Sequence, residues 1–313
     1  MNVHDVTALL PPRFGTVRAV EAIQVGLSGA EVHGVSTDAG DYVLRIVPIV
    51  DRDVWARELV VRRITSDAGI APMLEWVDEA RGATLSQRIG GPGFTPALGN
   101  AAERTRALGS LARTLGRLHA LPGDGWIDID PAAYAREMWR AQSRRPGFPA
   151  WAAPALAHIE RAERLLADDD RRTPSHNDLN PANVLWDGER VWLVDWEQSG
   201  LTHPYYDMAA LSTFLMVDDD VGIQLVTAQE GAPLSPAQSE IFVALRRLAM
   251  VFYGTIFFML ARDLETTVPS DIGEVKDMPE LHVRLRSGAL SLRTSEGQAA
   301  FGAAMLKRAV AGG

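Results

Sequence analysis

The stretch Ser175–Asp195, SHNDLNPANVLWDGERVWLVD, constrains this chain more than any other. Val184-Leu185-Trp186 and Val191-Trp192-Leu193-Val194 are short apolar, β-prone runs separated by Asp187-Gly188, and Asp-Gly accepts positive φ at low cost. They predict a β-hairpin. Such a hairpin returns Asp195, at the end of its second strand, to the neighbourhood of Asn183, which precedes its first. A carboxylate and an amide oxygen at adjacent hairpin ends suit a hard cation such as Mg²⁺. Asp178 lies on the loop entering this site, placed to accept a proton from a hydroxyl. Its bland alternative is a cap for the turn at Asn180-Pro181.

The spacing is that of a phosphoryl-transfer loop, H-R-D-L-x-x-x-N followed by a metal-binding Asp. Here it reads H-N-D-L-N-P-A-N, then D-W-E where protein kinases carry D-F-G. Average residue usage puts a chance match at these spacings at about one chain in 10³, so the pattern is read as chemistry. Asn177 in place of Arg and Glu197 in place of Gly point away from protein kinases. HNDLNPANVL followed by VDWE resembles instead the aminoglycoside phosphotransferase and choline/ethanolamine/thiamine kinase superfamily. The resemblance runs from about Val17 to Leu211, specific at the loop and the metal Asp and looser elsewhere. It implies a bilobal, protein-kinase-like α+β fold: a nucleotide-binding lobe over residues 1–91 with a five-stranded antiparallel sheet, then a mainly helical catalytic and substrate-binding lobe over residues 92–313. ATP and Mg²⁺ are the implied cofactors.

Composition narrows the partners. A chain of 313 residues with 47% hydrophobic content can bury a sizeable core. The absence of cysteine excludes disulfides and thiolate metal sites and suits a reducing compartment. A net charge of −9 argues against nucleic acid and anionic membranes as partners and favours a cationic small molecule. The most apolar run, Leu248–Ala261, is 14 residues, too short to span a bilayer, and reads as a buried helix. The start, MNVHDVTALLPP, lacks the basic and apolar regions of a signal peptide, so a cytoplasmic enzyme is expected.

Along the chain, residues 1–12 read as a short helix stopped by Pro11-Pro12. Val17–Val25, Val32–Thr37 and Asp41–Val47 read as three strands, the first two separated by Gly26-Leu27-Ser28-Gly29-Ala30-Glu31. Glycines there let backbone N–H groups approach phosphates, which makes Ser28 and Gly29 nucleotide-binding candidates; GLSGAEV also resembles the loop of aminoglycoside kinases. Arg45 stands among apolar residues on the third strand, where kinases place the Lys of the α- and β-phosphates. A guanidinium forks onto phosphate oxygens equally well. Glu58, on the predicted helix Asp53–Thr65, is the implied partner that orients Arg45. Met73–Val77 and Ala83–Ile89 complete the sheet, and Gln87–Gly93 is the expected hinge. Helices are expected at Asn100–His119, Asp130–Ala141, Pro149–Ala167, Asp207–Met216, Ser235–Glu265 and Ser295–Val310.

By the same resemblance, Asp207 supports the catalytic loop, and His176 holds that loop rather than acting as a base. Glu197 contacts the metal through water or the substrate, or is a plain loop acid. His203 departs from the Asp of relatives, and Tyr253-Gly254 replaces the Trp-Gly of choline kinases. The expected reaction is transfer of the ATP γ-phosphoryl group to a small alcohol, with Asp178 as base, Asn183 and Asp195 on Mg²⁺, and Arg45 and Glu58 on the nucleotide. Choline-, ethanolamine- or thiamine-like acceptors come first and aminoglycosides second. A kinase-fold binding module without turnover is the alternative of a different class.

Overall fold

The computed structural model describes residues 1–23, 29–50 and 52–312. By their internal contacts these fall into two compact units, Met1–Ile127 with Asn180–Ser199, and Asp128–Leu179 with Gly200–Gly313. The first unit thus extends past residue 91 and includes the predicted hairpin. The sequence motif is divided between them, H-N-D-L ending one segment and N-P-A-N opening the other.

The first unit is built on five antiparallel strands, β1 (Val17–Ala22), β2 (Glu31–Thr37), β3 (Asp41–Ile46), β4 (Leu74–Asp78) and β5 (Ala83–Gln87), in the order β1-β2-β3-β5-β4. Strand periodicity sorts their faces. Tyr42 and Leu44 of β3 join Val35, Ala83 and Leu85 in a core that also takes Val6, Leu10 and Phe14. Val6 comes from helix α1 (Val3–Leu9), which starts on a reciprocal cap between Asn2 and Asp5. Arg45, one residue on from Leu44, faces the other way, opposite Val32 on β2 and Thr84 on β5. Helix α2 (Arg52–Asp67) follows and stops at Gly69, whose φ of +61° ends it as expected.

The predicted hairpin forms, with Val184 opposite Leu193 and Trp186 opposite Val191. Asp187 Oδ1 accepts the Glu189 and Arg190 N–H groups, and Gly188 takes φ +104°. Its polar groups are anchored within the unit: Leu193 N–H donates to the Ile70 carbonyl and Val191 N–H to Ser110 Oγ, each at 2.9 Å. Trp186 Nε1 donates to Glu103 Oε2 at 3.0 Å. The segment leaving β5 passes so close that a Cβ on Gly91 would lie 2.5 Å from Asp187 Cα, so only glycine fits there.

The second unit is helical around the 25-residue helix Pro236–Leu260, against which Pro131–Gln142, Leu156–Ala167, Tyr206–Phe214 and Ser295–Val310 pack. The apolar run read as 14 residues is therefore part of a longer helix. Arg246 and Arg247 interrupt it in sequence but are buried, both paired with Asp219. That helix has the length and apolarity of a membrane span, and 83% of its most apolar window is buried inside the protein. The predicted helix over 149–167 begins as a 3₁₀ turn, Ala150–Ala155, because Pro154 cannot join an α-helical ladder there. Two helices not expected, Asp219–Glu230 and Met278–Arg286, lie in the last third of the chain; the former is capped by Asp218.

Candidate active site

Two sets of side chains, one in each unit, carry the residues singled out by sequence. In the first unit, Arg45 is the hub. Its Nη1 donates to Glu58 Oε1 at 2.7 Å, and its Nη2 lies 3.4 Å from both Asp195 Oδ1 and Glu197 Oε2. The strand cation, the helix acid and the Asp after the hairpin are thus gathered by one guanidinium fork, a reach the single ammonium of Lys lacks. The Arg45 side chain is 12% exposed and Glu58 8%. A charge pair this buried is costly to break by removing one member.

A further residue joins this set without any sequence signal singling it out. Arg62, one turn after Glu58 on α2, places Nη1 3.7 Å from Glu58 Oε1. Burial first, then the neighbouring Arg45 charge, lowers Arg62 to about 10, against the pull of Glu58 and Asp195. It stays a cation at neutral pH. Glu58 is thereby shared by two guanidiniums.

Val194 N–H donates to the Asn183 carbonyl at 3.1 Å, so the hairpin brings Asn183 and Asp195 to one end as its spacing implied. Asp195 holds φ +69°, a left-handed conformation that Asp tolerates better than most residues but not freely. Asn183 is buried, whereas the Asp195 carboxylate is 30% exposed. The donor set is hard oxygen: one amide, one carboxylate and the Glu197 carboxylate nearby. It fits Mg²⁺, which takes one or two carboxylates and completes its shell with phosphate oxygens and water. Among the described residues there is no gathering of three or more His, Cys, Asp or Glu that would cage a metal by protein alone. Ser28 lies outside the described residues. Among the described residues, nothing lies within 4 Å of a Cβ placed on Gly29.

Replacing Arg45 with Ala is expected to lower kcat/KM for ATP by about 10²-fold, and Glu58→Ala by about tenfold. The double variant should lose less than the product of the two. Strict additivity in that cycle would mean the pair does not act as a unit.

In the second unit, the loop preceding the hairpin is held from below. Asp207, fully buried at the start of the helix Tyr206–Phe214, accepts the His176 N–H at 2.9 Å and the Asn177 N–H at 2.8 Å. Asn177 takes φ +63°, a conformation favouring Asn over the Arg of protein kinases. His176, also buried, points Nδ1 at the Asp178 N–H, 3.4 Å away. Asp178 Oδ1 accepts a hydrogen bond from Tyr253 Oη at 3.0 Å. The cap of the following turn is Asn180, whose Oδ1 accepts the Ala182 N–H.

His203 is buried beside an ion pair. Its Nδ1 accepts the Tyr205 N–H, while Nε2 lies 3.3 Å from Arg171 and 3.4 Å from Asp169. Burial lowers His203 to about 4, with the Arg171 charge adding to it and Asp169 opposing. The unfolded chain takes up this proton near 6.5, whereas the fold refuses it until about 4. The stabilisation is therefore complete above pH 6.5 and lost as pH falls toward 4, amounting to at most about 3 kcal/mol. Urea unfolding at about pH 7.5 and about pH 5 should show this loss in the wild type and a smaller one in His203→Gln. Equal slopes in the two proteins would remove His203 as the cause.

A sequence model of the phosphotransferase enzyme family (APH) matches residues 19–239. In structure the chain is similar to a choline/ethanolamine kinase family protein from Mesorhizobium loti, with TM-score 0.68 and 20% identity over 99% of this chain and 98% of that one. In sequence it is similar to protein LicA of Haemophilus influenzae, 47% identical over 38 residues, which are 12% of this chain and 14% of LicA. It is also similar to streptomycin 3''-kinase of Klebsiella pneumoniae, 29% identical over 177 residues, 54% of this chain and 64% of that protein. These curated relatives are matched over less than two thirds of their own length. The structural likeness fixes the architecture as a protein-kinase-like α+β fold with its five-stranded antiparallel sheet.

Proposed function

The chain belongs to the phosphotransferase enzyme family, and from that premise we propose that it transfers the γ-phosphoryl group of ATP to a hydroxyl of a small cationic alcohol. The observation that carries this reading is the single fork of Arg45 onto Glu58, Asp195 and Glu197. It supports the reading because the cation proposed for the phosphates lies beside the carboxylate proposed for the metal. Arg45 holds the α- and β-phosphates, Glu58 fixes the direction of its fork, and Gly29 with Ser28 contributes to the phosphate loop. Asn183 and Asp195 would hold Mg²⁺, which neutralises charge on the phosphates when bound. Asp178 orients the acceptor hydroxyl and takes its proton. In this reading residues 1–91 bind the nucleotide, residues 92–313 supply the catalytic loop and the acceptor site, and the enzyme works in the cytoplasm.

Choline-, ethanolamine- and thiamine-like alcohols are the first acceptors to test. The H-N-D-L-N-P-A-N loop and the Mesorhizobium neighbour favour them, and the net charge of −9 suits a cation. Aminoglycosides form the second reading, favoured by the likeness to streptomycin 3''-kinase. ATP consumption with Mg²⁺ against choline, ethanolamine, thiamine and streptomycin, with mass detection of the phosphorylated product, separates them. ATP binding without product on any alcohol would make the chain a binding module instead.

A further inference from the structure

Tyr253 is bonded through its phenol to the proposed base, and the reaction as read above leaves it without a task. It lies on the helix Pro236–Leu260, 5% exposed, and donates to Asp178 Oδ1 at 3.0 Å. Its ring is fixed edge-on by Phe214 at 4.6 Å and Phe252 at 5.3 Å. The backbone beneath it is equally fixed. A Cβ on Gly254 would come within 2.8 Å of Leu306 Cγ and 3.2 Å of the Gly302 carbonyl, so this turn rests directly on the helix Ser295–Val310. The phenol is thus a rigid donor, and the carboxylate it meets sits on a loop.

The phenol stays protonated. Burial, then the Asp178 charge, with Tyr206 and Asp207 adding to them, pushes its ionisation well above the ordinary range. It donates at any working pH and cannot replace Asp178 as acceptor of a proton. An Asp carboxylate turns broadly about its last torsion, so a lone Asp presents its lone pairs over a wide arc. A rigid donor on one oxygen narrows that arc.

We propose that Tyr253 is a positioning residue for phosphoryl transfer: its hydroxyl, bonded to Asp178 Oδ1, helps fix the direction in which that carboxylate meets the acceptor alcohol. This rests on the reading of Asp178 as the base. As the alcohol oxygen bonds to the γ-phosphorus and the bond to the departing nucleoside diphosphate breaks, the alcohol proton passes to the Asp178 carboxylate, and Tyr253 keeps its own. Orientation of this kind acts on turnover rather than on binding.

The test is Tyr253→Phe in the full chain, assayed with Mg·ATP and choline, ethanolamine, thiamine or streptomycin, whichever the wild type phosphorylates. A drop in kcat of about tenfold is expected, with KM for both substrates within about twofold, since a hydrogen bond to a charged group is lost and the ring is kept. In the Asp178→Ala background the same change should leave residual turnover unaltered. A slowly exchanging phenolic proton, present in the wild type and absent from Tyr253→Phe, reports the bond by NMR without turnover. A raised acceptor KM with unchanged kcat would instead make Tyr253 part of the acceptor wall and overturn the positioning role. An active wild type with Tyr253→Phe unchanged overturns it too, while leaving the kinase reading intact. A wild type that shows the proton but phosphorylates none of the four alcohols sinks the kinase reading and the positioning role together.

Discussion

Replacing Asp195 with Asn is expected to cut phosphoryl transfer by on the order of 10³-fold or more, leaving the protein folded. Asn is the variant of choice for a backbone reason. Asp195 holds φ +69°, which Asn accepts readily, whereas Ala would add about 1 kcal/mol of strain and confound the result. The loss should be large because an amide at this position cannot supply the negative charge. Asn183 is already an amide, and the Glu197 carboxylate is drawn to Arg45 Nη2 at 3.4 Å. Removing the Asp195 charge leaves Arg45 tied to Glu58 at 2.7 Å, so the fork should keep its direction. Calorimetry separates the two contributions: ATP binding in the absence of Mg²⁺ should be little changed, and the gain from adding Mg²⁺ should disappear. Near-normal turnover in a folded Asp195→Asn protein would withdraw the metal assignment.

The hairpin was legible because its rules are local. Two short apolar runs on either side of an Asp-Gly turn specify a hairpin, and its pairing brings Asn183 and Val194 together. The sheet was legible for the same reason, Tyr42 and Leu44 marking one face and Arg45 the other. Beyond the Arg45–Glu58 pair and the support of the loop by Asp207, which the family resemblance implied, the sequence hid contacts set by long-range packing. Arg62 reads as one more helix cation until α2 is seen to bury it beside Glu58. Tyr253 reads as core by its spacing, and only the course of its helix past the loop puts its hydroxyl on Asp178. The helix expected over Ser235–Glu265 forms as Pro236–Leu260, and what sequence did not show is that the charges of Arg246 and Arg247 are met inside the fold by Asp219 from another segment. One missed feature did have a local signal. Asn177 stands where protein kinases carry Arg, and Asn is the side chain that best accepts the left-handed turn found there.

Asp178→Asn should lower kcat by on the order of 10²-fold or more while sparing nucleotide affinity. The substitution keeps the shape, and an Asn carbonyl oxygen can still accept from Tyr253, so the loop should stay in place. His176 and Asn177 remain bound through their N–H groups to Asp207, which the change does not touch. What is lost is the charge proposed to orient the acceptor hydroxyl and receive its proton. Phosphoryl transfer is largely dissociative, so proton removal comes late and much of the penalty is lost orientation. The defect should therefore appear in kcat and in the acceptor KM, with ATP and Mg²⁺ binding preserved, because Arg45, Glu58, Asn183 and Asp195 are unaltered. Calorimetric titration of Mg·ATP beside steady-state turnover tests both halves at once. Unchanged kcat would refute Asp178 as the base; a collapse of ATP binding with normal thermal stability would assign it to organising the loop.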